Sequence, residues 1–234
     1  MPAAHRRKRG RRGRKQLLSA IETVERLEAE APLPPWRPHW DPVGELVLTL
    51  LSQNTSDSNS GRAYQQLLAC FDSWETVISA PVAAVEEAIR IGGLAKTKAP
   101  RLQEMLRELR KRLGPDWDAT RLATMPIPEA RVWLTSLPGI GPKTAAVVLL
   151  FSLRRPALPV DTHVHRVSQR LGLIGPKVTA VAAHDVLEEQ MPSRMYYSYH
   201  VAVIRHGRRI CKALRPLCQK CVLADGCPAA FTFE

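Results

Sequence analysis

The sequence predicts an all-α protein, and three observations carry that prediction. Apolar residues recur at helical spacing along nearly the whole chain. No stretch sustains strict alternation, and no turn pair joins two β-rich runs. At the centre, residues 137–150 (LPGIGPKTAAVVLL) read as helix, tight glycine turn and second helix. Gly139 and Gly141 permit a sharp backbone, and Pro142 suits a first helical position, where a missing N–H costs nothing.

Taken in order, residues 16–29 read as a helix with Leu17, Leu18, Ile21, Val24 and Leu27 apolar. Residues 32–42 (PLPPWRPHWDP) are rich in proline and are expected to run extended, as a crossing between domains. Residues 43–52 form a nearly all-apolar, buried helix that ends in the polar loop QNTSD, 53–57. Further helices are expected at about 59–71, 81–91 and 98–113, the last two separated by IGGLAKTKA. The hairpin helices cover 128–137 and 142–153. Two prolines force 154–160 (RRPALPV) to extend, Asp161 caps the next helix, and helices at 178–191 and 193–206 precede a cysteine-rich loop. No internal repeat is present. These elements divide into a basic tail (1–15), a domain built from both chain ends (16–42 and 155–234), and a six-helix domain (43–154) that contains the hairpin.

The 234 residues allow one large or two small cores, and no apolar run approaches bilayer length. The net charge is +12, and eight of the cations sit in residues 1–15 without an acid, from Arg6 to Lys15. Such an arm cannot bury a core and is expected to be disordered, drawn to phosphate or merely solubilising. No secretory signal is visible, because the basic start leads into an amphipathic, acidic helix. An intracellular location is expected, with the nucleus as the destination only in a nucleated cell.

Two positions suggest chemistry. Lys143 stands in the first turn of the second hairpin helix, where the helix dipole, partial burial and basic neighbours all disfavour an ammonium. A neutral amine is a nucleophile; a phosphate-binding or solvated lysine is the plainer alternative. The helix 142–153 spans roughly 18 Å. The seven-residue linker reaches roughly 23 Å when extended. The linker can therefore run back and set Asp161 beside Lys143, a pair suited to displacement at a sugar carbon.

Four of the five cysteines, Cys211, Cys218, Cys221 and Cys227, are spaced C-x6-C-x2-C-x5-C. Only one C-x2-C knuckle is present, so a [4Fe–4S] cluster is favoured over zinc. Lys212 and Arg215, between the first two ligands, are placed to balance a cluster and face phosphates. Cys70, beside Leu67, Leu68 and Phe71, reads as a buried structural thiol. His200 and His206 are expected near the cysteine loop in packing or phosphate contact rather than as ligands, since four thiolates suffice, and His163 and His165 follow Asp161.

Taken together, LPGIGPKTA, PVDTHVHRV and HGRRIC with its three following cysteines resemble the endonuclease III family of helix-hairpin-helix DNA glycosylases, over about residues 17–230. The resemblance implies two helical domains with duplex DNA in the cleft between them, a [4Fe–4S] cluster on the four cysteines, and a monomer. It implies Lys143 as the nucleophile at C1′ and Asp161 as the carboxylate that stabilises the sugar cation and assists proton transfers. It further implies Asn54, with Gln53 adjacent, filling the gap left by a flipped base, and Leu94 as a wedge in the opposite strand. Gly139, Gly141 and Thr144 of the hairpin, with Lys212 and Arg215, are the implied DNA contacts. The QNTSD loop departs from the family's usual wording and leans toward adenine- and thymine-mismatch glycosylases. The implied activity is a bifunctional glycosylase/AP lyase acting on oxidised pyrimidines. The alternatives are a monofunctional mismatch or adenine glycosylase of the same fold, and a non-catalytic DNA-binding iron–sulfur protein.

Overall fold

A computed structural model describes residues 17–37 and 41–233. The basic tail and part of the proline-rich crossing lie outside the described residues. Among those described, the elements are helical throughout: α1 (Ala20–Glu30), α2 (Pro42–Ser52), α3 (Asp57–Cys70), α4 (Trp74–Ser79), α5 (Val82–Ile89), α6 (Ala95–Leu113), α7 (Arg121–Thr124), α8 (Ile127–Thr135), α9 (Pro142–Val147), α10 (Thr162–Leu171), α11 (Ala182–Glu188) and α12 (Tyr196–Arg209). No helix among them is long and apolar enough to cross a membrane.

Local chemistry explains the helix starts. Ser19 and Glu22 form a reciprocal capping box before α1, and the Asp41 carboxylate accepts from the Val43 and Gly44 N–H groups before α2. Ser56 and Ser73 cap α3 and α4 in the same way. Two short helices, α4 and α7, have no counterpart in the periodicity, because neither is long enough to show a face. Helix α6 begins three residues earlier than its apolar spacing indicates, directly after Leu94 in the left-handed region (φ 53°).

The helix after the hairpin is not uniform. It is α-helical to Val147 and then widens into a π-turn over Val148–Ser152, with Leu153 N–H donating to the Val148 carbonyl at 3.3 Å. This segment feeds two apolar clusters at once. Ala145, Ala146, Val148 and Leu149 pack with α2, α3, α5, α6 and α8, whereas Val147, Leu150 and Phe151 pack with α1, α10, α11 and α12. The Trp36 indole N–H caps the Leu150 carbonyl of the π-turn at 3.0 Å.

Cys70 departs from its expected place. Leu67 is buried, but Leu68 is exposed and so is Cys70. Near the end of α3 only the Leu67 face turns inward, so Cys70 is a surface thiol rather than a core residue.

Candidate active site and cysteine pocket

A cleft of about 820 Å³ opens between α2 and α3 on one side and α9, α10 and α12 on the other. Lys143 and Asp161 both line it. The linker from the π-turn does run back, and its path is held at successive carbonyls. His184 Nδ1 bonds the Leu158 carbonyl and His200 Nδ1 bonds that of Pro159, each at 2.8 Å, while the Leu158 N–H donates to Glu188 at 2.6 Å. Each carbonyl needs a proton, so both rings carry it on Nδ1. Asp161 follows directly and caps α10, its Oδ1 accepting from Val164 N–H at 2.7 Å.

Burial pushes the Lys143 ammonium below its ordinary range, and Arg208 adds to this. The neighbours are mainly acidic, however, and not basic as the sequence suggested: Asp161, Glu45 and Asp57 each favour the charged form. Desolvation outweighs them. His200 is also buried in this cleft rather than beside the cysteine loop, and burial holds it neutral. His163 lines the cleft, accepting from Arg166 at 3.1 Å, while His165 turns to the Val178 carbonyl.

The remaining expected contacts fall on two rims. Gln53 donates to the Gly139 carbonyl at 3.0 Å, joining the QNTSD loop to the hairpin. Gly139 has φ 78°, which favours glycine, and a Cβ added at Gly141 would meet nothing within 4 Å. Asn54 is exposed with φ 53°, and Leu94 is 56% exposed. Buried Lys98 ties these two turns together, its Nζ donating to the Leu51 carbonyl, Thr55 Oγ1 and the Gly92 carbonyl at 2.7, 3.1 and 3.0 Å. The Thr144 side chain points inward and is buried, so it offers no surface contact. Glu45, Lys98 and the Asp57–Arg208 ion pair were not singled out from sequence. The one signal was a lone acid inside an otherwise apolar helix.

Cys211, Cys218, Cys221 and Cys227 line one small pocket, closed by Ile210, Ala224, Ala229 and Phe233. Burial pushes the Cys221 thiol up to about 11, and the other three sulfurs push it further in the same direction. Four free thiols that crowd one apolar pocket form a donor set for a cationic metal group, which would draw off their protons. Among the described residues no group of three or more His, Cys, Asp or Glu side chains is set to hold a single metal ion. Lys212 and Arg215 are exposed. The arginines that reach this loop come instead from α10: Arg170 donates to Cys211 Sγ at 3.3 Å and to the Lys212 carbonyl at 2.7 Å, and Arg166 to the Cys211 carbonyl. His206 Nε2 lies 3.5 Å from Cys221 Sγ.

Comparison with known proteins places this geometry. Residues 47–192 match the family described as HhH-GPD superfamily base excision DNA repair protein. Endonuclease III of Thermotoga maritima is 33% identical over 80% of this chain and 83% of its own length. Endonuclease III of Sulfolobus acidocaldarius is 32% identical over 78% and 79%. A non-covalent endonuclease III–DNA complex superposes with a TM-score of 0.78 at 27% identity, covering 92% of this chain and 97% of that one. A thermostable thymine-DNA glycosylase shares the fold, with a TM-score of 0.72 at 20% identity over 90% and 94%. The chain belongs to the endonuclease III family within the HhH-GPD superfamily of base excision DNA repair proteins.

Proposed function

We propose that this chain is a bifunctional DNA glycosylase/AP lyase that removes oxidised pyrimidines from duplex DNA. The observation that supports this most directly is a lysine held below its usual pKa by burial, in one cleft with an aspartate. The target nucleotide is flipped into the cleft, since its C1′ is shielded within the stack. The neutral Lys143 amine donates its lone pair to C1′ as the glycosidic bond breaks and the base departs. The Asp161 carboxylate stabilises the positive charge that develops on the sugar. Loss of a proton from nitrogen and opening of the sugar ring give an imine. Removal of a C2′ proton then expels the 3′ phosphate by β-elimination.

In this reading the domain of residues 43–154 and the domain of 16–42 with 155–234 hold the duplex between them. Asn54 and Gln53 fill the vacated stack and Leu94 parts the opposite strand. The Gly139–Gly141 turn, the Thr144 backbone, Lys212 and Arg215 meet phosphates. The four cysteines hold a [4Fe–4S] cluster, which would cross-link the C-terminal loop and present its cations to the DNA.

Borohydride trapping on a duplex containing dihydrouracil tests the assignment. A covalent protein–DNA adduct is expected from the wild type and none from Lys143→Gln. Asp161→Asn is expected to slow base release by about a hundredfold or more. A wild type that releases base but is never trapped would overturn the lyase step.

A further inference from the structure

Helix α2 carries one carboxylate among mostly apolar, buried residues. Val43, Leu46, Val47, Leu50 and Leu51 around it are all buried, and Glu45 itself is only 3% exposed. An acid in such a setting costs stability even when it is hydrogen-bonded. Its position explains its presence. Glu45 lines the cleft that contains Lys143, and its charge acts on that amine. One turn further along α2, Thr49 lines the same cleft and donates its hydroxyl to Glu45 Oε1 at 3.4 Å.

Aromatic rings also line the cleft. The Phe151 and Tyr197 rings meet edge-on with centroids 5.7 Å apart, and His200 lies against Phe151 at 5.5 Å. The π-turn places Phe151 there, because it rotates this residue relative to a continuing α-helix. The cleft thus brings together aromatic rings for a base to pack on, the Lys143 amine, and an acceptor–donor pair.

We propose that Glu45 and Thr49 read the base-pairing edge of the pyrimidine drawn into the cleft, the carboxylate accepting N3–H and the threonine hydroxyl donating to the adjacent carbonyl. An ionised carboxylate only accepts, so it demands an N–H on the base. A base without that proton leaves a buried charge facing a lone pair or a methyl group, which rejects it. This assignment rests on the reading of the cleft as a glycosylase site, and it adds the chemistry by which a base is selected there.

The test compares wild type, Glu45→Gln and Glu45→Leu on three duplexes: dihydrothymine, dihydrothymine methylated at N3, and an abasic site. Wild type is expected to release the methylated base more than about tenfold more slowly than the unmethylated one. In Glu45→Leu that discrimination is expected to fall below about threefold, while kcat/KM for base release drops at least about tenfold further than abasic-strand cleavage does. The leucine variant is also expected to melt at the same or a higher temperature, since it removes a buried charge. Equal losses on the base-bearing and abasic duplexes would overturn the proposal, because Glu45 would then act through Lys143. Retained N3 discrimination in Glu45→Leu would also overturn it. Should Glu45→Leu fail to fold, the same two comparisons in Glu45→Met, which also lacks the acceptor oxygens, decide the matter. Absence of borohydride trapping in the wild type would instead count against the lyase reading, whatever the discrimination between bases.

Discussion

Asp57 Oδ2 and Arg208 Nη2 meet at 2.7 Å across the cleft, joining the first turn of α3 to the last turn of α12. The Arg208 and Asp57 side chains are 49% and 68% exposed, so the pair contributes little to stability. Its effect falls on Lys143, which Arg208 pushes down and Asp57 pushes up. With Lys143 as the proposed nucleophile, the reacting form is the free amine, and activity rises with pH as that amine loses its proton. Arg208→Gln is expected to move this rise to higher pH, and Asp57→Asn to lower pH. The pH profile of borohydride trapping on abasic duplex, taken from pH 5.5 to 9, measures both shifts.

Lys98 is a positioning residue for the two turns that carry Asn54 and Leu94. Burial lowers its pKa, yet three oxygen acceptors converge on its Nζ. Lys98→Met strands these acceptors and is expected to cost about 2–4 kcal/mol. Urea unfolding reads that loss. Base release is expected to slow by more than about tenfold, because the loops lose their register.

Gly207 lies where α12 crosses α10. A Cβ there would meet His163 Cβ at 3.1 Å, His163 Nδ1 at 3.2 Å and Val167 Cγ2 at 3.3 Å. Val167 is fully packed, so the crossing must open or His163 must turn. Gly207→Ala is expected to destabilise by about 1–3 kcal/mol, despite the better helix propensity of alanine. Thermal unfolding checks the sign.

Burial lowers the pKa of both His184 and His200. In the unfolded chain each titrates near about 6.5, so below that pH the unfolded state binds the extra protons. Stability is therefore expected to fall as pH drops below about 6.5 and to keep falling until the folded histidines charge. His184→Asn keeps a donor for the Leu158 carbonyl but does not titrate. Its urea midpoint is expected to change less between pH 7.5 and 5.5 than that of the wild type.

Leu94 is 56% exposed and follows Gly93, both with positive φ. Nothing packs on it that stability needs. Leu94→Ala is expected to change stability by less than about 0.5 kcal/mol. Base release from fully paired duplex is expected to fall by about tenfold, since opening the stack costs a few kcal/mol. The thermal midpoint and single-turnover base release separate the two effects.

The sequence was most legible where the determinant is local. Spacing of apolar residues placed the long helices, Gly139 and Pro142 marked the hairpin, and the reach of the 154–160 linker brought Asp161 to the Lys143 cleft. The four cysteines announced a shared pocket through spacing alone. Cys70 misled because a short apolar run near a helix end does not say which residue turns inward.

The sequence by itself determined the helical class, the hairpin, the lysine and aspartate, and the thiol set, since each depends on residues close together in the chain. Only the tertiary structure decided what surrounds them. It brought Glu45, Asp57 and Arg208 to Lys143, set His184 and His200 on the linker carbonyls, and aimed Arg166 and Arg170 from α10 at the cysteine loop. The physical reason is that a charge or hydrogen bond acts through space. Its partner is chosen by how helices cross, and helix crossing is a property of the packed whole.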